Sequence, residues 1–399
     1  MSVESTRTSG LLGRIIVLVV LADLGIGMVV PLWALRARRL GMSVGLVGAM
    51  VTLLGAGRLL TSLAGGLAGD RWGRRRVLIA GLIALAVAAA GGGLTPVAGA
   101  LYPLRLVEGI GWELMAVSAT SAVADLVRGE KRQGTLMTRY SAARRGTQAA
   151  APVLGGLLAV TIGIPAAFHV YAALAVLAAL VAWRLLPPLS ARGARADPAT
   201  GRAAPPALRA LSLLGDPGFG AVGAVGLLLV GADLAFQQFV VPTLGTDQGL
   251  SALEIGAVLA AYGILIGGIN ITAGGRLIDR LGPRIPLGVG ATIGALGYAL
   301  VPVLHGLAGL LVAMALAGLG RGFTSASPTL LLLHRFPGQQ GRVQGVYRTV
   351  SGVGRLVTPV ALGAVGAALT PAIWGLAFAL VLAGAATIGL TARSPRTPG

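Results

Sequence analysis

The sequence predicts an all-α polytopic membrane protein of twelve transmembrane helices, arranged as two six-helix bundles related by a pseudo-two-fold axis. Three observations predict it. Hydrophobic residues make up 55% of the 399-residue chain and charged residues only 11%, about half the charge usual in soluble domains. Apolar runs recur from end to end, and many reach the ~18 residues that cross a hydrocarbon core of roughly 30 Å. Finally, the basic Gly-rich stretch GGLAGDRWGRRR at Gly65–Arg76 returns as GGRLIDRLGPR at Gly274–Arg284. Such a repeat half a chain apart implies two similar halves joined in one polypeptide.

Taken in order, the first six spans are Leu11–Trp33, Val44–Gly66, Val77–Leu94, Ala100–Val123, Leu136–Val160 and Pro165–Leu186. The second six are Gly220–Leu244, Leu253–Leu277, Pro286–Leu304, Leu307–Leu333, Val343–Leu369 and Pro371–Thr391. Span 1 is too long for a signal-peptide core and contains Asp23, so it reads as a membrane helix. Between the halves, Pro187–Pro217 is rich in Pro, Arg, Ala and Gly and reads as a linker. The expected division is residues 1–186, a linker at 187–217, and residues 218–399.

Charge sets the orientation. Six Arg lie within spans (Arg58, Arg105, Arg144, Arg145, Arg321, Arg355) and three, Arg36, Arg38 and Arg39, on one side. The rest of the 32 basic residues lie on the other side, which places both termini and the linker in the cytoplasm of a cell whose inner membrane holds the chain. The three outer Arg are expected to snorkel at the end of span 1. This clustering in short loops also removes nucleic acid as the reason for a net charge of +19. The 63 Gly suit close packing between membrane helices.

The halves match beyond the basic turn. Asp23-Leu24 corresponds to Asp233-Leu234, Gly109-Ile110-Gly111 to Gly318-Leu319-Gly320, and Tyr140 and Pro152 to Tyr347 and Pro359. An even number of spans per half makes the repeats parallel, with their axis along the membrane normal. The chain contains no Cys. His169, His305 and His334 are scattered near span ends, so no metal site is expected. No phosphate-binding loop, nucleophile elbow or H-E-x-x-H pair occurs, so neither an enzyme nor a cofactor is expected.

Gly66, Asp70, Arg71, Gly73 and Arg74 match the signature loop between helices 2 and 3 of the major facilitator superfamily, and Arg105, Gly109 and Gly111 match its helix-4 signature. The whole chain resembles that superfamily of secondary transporters. Ala22–Leu32, ADLGIGMVVPL, with Asp23 and Pro31, resembles the helix-1 signature of its twelve-helix drug–proton antiporter branch. Ala34 stands where that signature usually has a second Pro. Pro152, Gly155 and Gly156 resemble the end of the branch's helix-5 signature. The resemblance implies that helices 1, 4, 7 and 10 line a central cavity. It also implies that Asp70 caps helix 11 and pairs with Arg74 and with Asp125, latching the cytoplasmic side. Asp279 belongs to the weaker second copy.

Ionisable residues near mid-membrane are costly and normally face a cavity or a partner. Asp23 and Asp233 occupy equivalent positions in spans 1 and 7, so each is a proton or substrate site or is satisfied by Arg or backbone. Arg105 and Glu108, three apart on span 4, share a face and either neutralise each other or serve the cavity. Glu113 lies on another face and either pairs with Arg58 of span 2 or serves as a proton or substrate site. Gln237 follows Asp233 by one helical turn and is a substrate hydrogen-bond candidate. Arg321 and Arg355 hold an anionic substrate or pair with Asp233. Pro31, Pro152, Gly155, Gly156 and Pro359 are expected at hinges or close helix contacts.

These readings converge on a monomeric carrier that exchanges protons for small amphipathic or cationic molecules across the lipid bilayer. A metabolite or sugar uptake carrier or uniporter shares the fold. A membrane sensor or lipid-handling protein is the reading of a different class.

Overall fold

A computed structural model describes residues 3–127, 133–187, 212–336 and 340–368. Span 12 and most of the expected linker lie outside the described residues, as do the side chains of residues 63–67 and of Asp70. Among the described residues there are helices and no strands.

In the first half, span 1 is α1 (Val3–Val29) followed by α2 (Leu32–Arg39), and spans 2 to 6 are α3 (Val44–Trp72), α4 (Arg74–Leu94), α5 (Leu101–Leu126), α6 (Gln133–Thr161) and α7 (Ile164–Leu185). Pro31 stands at the break between α1 and α2, where it cannot donate to the helix ladder. Ser43 opens α3 by accepting the Leu46 N–H at 3.5 Å. Gly73, at φ 87°, separates α3 from α4, a conformation that costs other residues more than Gly. That Gly is why the basic turn can reverse the chain between two long helices.

In the second half, span 7 is α8 (Pro217–Ala235), a π-helical turn at Phe236–Val240, and α9 (Val241–Asp247). Span 8 is α10 (Ala252–Ile269), a π turn at Asn270–Gly274, and α11 (Gly275–Leu281). Spans 9 to 11 are α12 (Arg284–Leu300), α13 (Gly306–Thr324) with α14 (Ser327–Arg335), and α15 (Gln340–Ala368). Asp216 caps α8 by accepting the Phe219 N–H at 2.7 Å. At the start of α10, the Ser251 hydroxyl accepts the Glu254 N–H at 3.2 Å while Glu254 accepts the Ser251 N–H at 2.8 Å. That reciprocal pair satisfies two N–H groups a helix start would otherwise leave open.

Seven helical stretches among the described residues are long and apolar enough to cross a membrane: Gly10–Arg39, Val44–Ser62, Arg74–Leu94, Ile164–Leu185, Pro217–Asp247, Ala252–Thr272 and Gly306–Arg335. The other long helices are more polar or shorter. α5 carries Arg105, Glu108 and Glu113, α6 carries Arg139, Arg144 and Arg145, and α12 has only 17 residues. Charged groups on such helices need protein partners rather than lipid.

The chain forms two compact units, Met1–Ala196 with Leu250–Ala260, and Asp197–Gly249 with Ala261–Gly399. In the first, α1 packs on α6 and α7, α4 on α5 and α7, and α3 on α5. In the second, α8 packs on α15 and α12 on α13. Span 1 thus meets span 5 as span 7 meets span 11, and span 3 meets span 4 as span 9 meets span 10. The internal repeat read in the sequence has its counterpart in these pairings. Small residues make them close. A side chain at Gly155 of α6 would collide with the Met28 carbonyl of α1, so only Gly allows that backbone approach. Gly156 faces the Ala252 carbonyl in the same way, and Pro152 and Pro359 lie inside α6 and α15.

Candidate transport site

Asp23 lies halfway along the first span and is fully buried. Its partner is Arg144 of α6, whose Nε donates to Oδ2 at 2.7 Å and whose Nη2 donates to Oδ1 at 3.2 Å. The two parallel bonds hold both carboxylate oxygens. The Arg144 guanidinium also lies 5.8 Å from the Tyr140 ring. Arg144 stands out in the sequence as a cation inside a span, but nothing there pairs it with Asp23. The pairing requires α1 against α6, which is where Gly155 lets the helices close.

Span 4 carries two separate pairs. Arg105 donates to Glu108, and both side chains are only 1% exposed. Glu108 also accepts from the Trp33 indole at 3.2 Å and from the Tyr171 hydroxyl at 3.5 Å. Arg105 lies 5.0 Å from the Trp33 ring. The carboxylate is therefore enclosed by spans 1, 4 and 6. On another face of α5, Arg58 Nε meets Glu113 Oε2 at 3.2 Å, and the guanidinium lies over Trp112 at 4.3 Å. Of the two sequence alternatives for Glu113, the structure has the pair with Arg58. The aromatic partners were not legible, because nothing local in the sequence ties Trp33 or Tyr171 to Glu108.

Asp233 lies halfway along span 7. Arg321 of α13 donates to its Oδ2 at 2.7 Å. Tyr262 of α10 donates to Oδ1, with Tyr298 of α12 at 3.5 Å from that oxygen and the two hydroxyls 3.0 Å apart. Four spans of the second unit converge on one carboxylate. Of the two sequence alternatives for Arg321, the structure has the one in which it pairs with Asp233. Gln237 donates to the Asp233 carbonyl of its own helix at 3.0 Å, at the edge of the π turn. The Asp233 side chain keeps 24% exposure and Arg321 19%, whereas Asp23 keeps none.

The acids obey the repeat but their partners do not. Ser351 occupies the position equivalent to Arg144, and Trp112 that equivalent to Arg321. Met314 and Ala317 stand where the first half has Arg105 and Glu108. Each half has therefore settled its central acid with an Arg from a different helix.

At the basic turn, Arg74 pairs with Asp125 at the end of α5. Asp279 is exposed at the second copy of the turn. Arg36, expected from the sequence to snorkel, is instead bound to protein. It donates to the carbonyls of Gly92, Gly93 and Thr95 at 2.7, 3.1 and 2.8 Å, closing the C-terminal end of α4. Such carbonyls have no partner within the helix. Arg335 binds Asp216 through two bonds of 2.8 and 2.9 Å. That contact, with the Phe219 N–H, holds the Asp216 carboxyl below the ordinary carboxylate range. It was missed because Asp216 reads as linker. The Asp-Pro dipeptide opening α8 was the available signal.

Two sets of membrane helices with the same internal pairing, each holding an Arg-bound acid halfway along a span, have the repeat architecture that many transporter folds are built from. Comparison with known proteins gives the family. A profile of the Major Facilitator Superfamily matches residues 15–359 and 223–399, and the chain belongs to that superfamily of transporters, which are not enzymes. A chloramphenicol resistance protein of Pseudomonas aeruginosa is 30% identical over 171 residues, covering 42% of this chain and 40% of that protein's own length. The enterobactin exporter EntS of Shigella boydii is 28% identical over 381 residues, 90% of this chain and 85% of that protein. The crystal structure of the nucleoside transporter NupG superposes with a TM-score of 0.78 at 15% identity, covering 96% of this chain and 99% of that one, which speaks for the fold.

Proposed function

We propose that this chain is a proton-coupled exporter of small amphipathic or cationic molecules. It works by alternating access, as a monomer in the inner membrane with both termini cytoplasmic. The observation that carries the reading is the Asp233–Arg321–Tyr262–Tyr298 cluster. A carboxylate there can bind a proton, a substrate cation or the Arg321 guanidinium. A proton neutralises the charge that holds Arg321, and a cationic substrate competes for the same oxygens. Mutually exclusive occupancy is what couples two opposite flows. Asp23, clamped on both oxygens by Arg144 and sealed from its surroundings, is the weaker carrier in this conformation. Glu108 is as closed off, and its partner Arg105 is buried where Arg144 is partly exposed. The exporter names of the relatives support the direction, and the turn with Asp70, Arg71 and Arg74 supports a cytoplasmic latch.

The test uses purified protein in proteoliposomes under an imposed pH gradient, with an amphipathic dye cation as probe. The wild type is expected to move the dye against its gradient. Asp233→Asn is expected to keep dye counterflow and lose pH-driven accumulation. Retention of pH-driven accumulation by Asp233→Asn removes Asp233 as the coupling acid. Absence of counterflow in the wild type removes dye transport itself.

A further inference from the structure

On the outer face of the first bundle, α4 and α7 leave a groove of about 500 Å³ between them. Ile79, Ile83 and Val87 line one wall and Val176, Leu180 and Trp183 the other, with Ala at its floor. On α4 the lining runs from Ile79 to Ala90, a rise of about 16 Å at 1.5 Å per residue. That is about half of a ~30 Å hydrocarbon core, the depth of one leaflet.

The groove has one charged end. Arg75 and Arg76 lie four and three residues before Ile79, so they continue its stripe one turn beyond the apolar wall. Arg184 follows Leu180 by four and continues the opposite wall. The two ends meet, because Arg75 donates to the carbonyls of Ala182, at 3.3 Å, and Trp183. Arg14 donates to the Leu185 carbonyl at 2.9 Å beside them. Arg184 lies 4.8 Å from the Trp183 ring. Arg76 and Arg184 are exposed, and neither has an acidic partner among the described residues. Asp125, the acid at the nearby end of α5, is held by Arg74. Trp beside Arg at a span end is the pattern of a membrane–water interface.

We propose that this groove is a binding site for one anionic phospholipid, with an acyl chain along the α4–α7 groove and the phosphate between Arg76 and Arg184. The apolar wall alone fits any lipid tail. The two exposed cations at its mouth select a net negative headgroup, and the one-leaflet length sets the phosphate at their level. Juxtamembrane Arg contributes about 1 kcal/mol each toward an anionic headgroup, or about fivefold in affinity.

The experiment is native mass spectrometry of delipidated protein titrated in detergent with phosphatidylglycerol or phosphatidylcholine of the same chains. The wild type is expected to retain one phosphatidylglycerol in preference to phosphatidylcholine. R76Q with R184Q is expected to weaken phosphatidylglycerol about 25-fold, two steps of about fivefold, and leave phosphatidylcholine unchanged. Ala90→Phe, which fills the groove and keeps both Arg, is expected to remove retention of that lipid. Equal retention of the two lipids by the wild type overturns the proposal. So does a phosphatidylglycerol preference that survives both sets of substitutions, or a dimer that Ala90→Phe dissociates, which would make a second copy the occupant.

Discussion

Glu108 separates a structural charge from a working one. Its carboxylate is enclosed with Arg105, Trp33 and Tyr171, and the ion pair is 1% exposed on both sides. Glu108→Gln keeps an oxygen for Trp33 and Tyr171 but leaves Arg105 buried without its counter-charge. Removing one member of a buried pair costs about 3–5 kcal/mol, whereas replacing both is often close to neutral. For a unit of this size the single change should lower the unfolding midpoint by roughly 6–20 °C. Arg105→Met combined with Glu108→Gln should recover most of that loss, to within about 2 kcal/mol of the wild type. The second half of the chain already carries Met314 and Ala317 at the equivalent positions. Thermal unfolding in mild detergent, followed by intrinsic Trp fluorescence, reads all three variants. If Glu108→Gln unfolds at the wild-type midpoint while pH-driven transport disappears, Glu108 is a proton carrier and the structural assignment fails.

Three further outcomes are expected. If Asp70 is the proposed latch, Asp70→Asn should remain folded and inserted but lose most of its transport, because the substitution removes the charge and keeps the shape. Transport at the wild-type rate would reduce the basic turn to a topology signal. Arg335→Gln should destabilise the second unit at neutral pH. The depressed Asp216 carboxyl contributes stability that is present above its unfolded pKa of about 3.9 and lost as pH falls through the lower folded value. The midpoint difference from wild type should therefore be full at pH 7 and close as pH falls below about 4; a gap constant down to pH 2 would contradict this. Protease added from the cytoplasmic side should cut first within 187–217, with cleavage elsewhere counting against the domain division.

Several features were legible in the sequence because they depend on local pattern. Apolar run length identified the membrane helices, since each must satisfy its own backbone hydrogen bonds in lipid. Asp23 and Asp233 stood out because a charge at mid-span is rare, and the repeat paired them with each other. The Arg105–Glu108 and Arg58–Glu113 pairs were also within reach. One is set by helical spacing, and the other by the few charges that spans 2 and 4 carry.

The partners of the two central acids were not legible. Arg144 is 121 residues from Asp23, and Arg321 is 88 from Asp233. Neither distance along the chain has a local signature. Repeat symmetry would even have misled, since Ser351 and Trp112 occupy the symmetric positions. Tyr262 and Tyr298 carry no sequence signal of a shared site, and it takes three spans to bring their hydroxyls to one oxygen. The sequence by itself determined the class of molecule, its repeats and the places where charge enters the membrane. Only the tertiary structure decided which charge meets which, because pairing depends on helix contacts set by Gly such as Gly155, and one-dimensional hydropathy does not encode them.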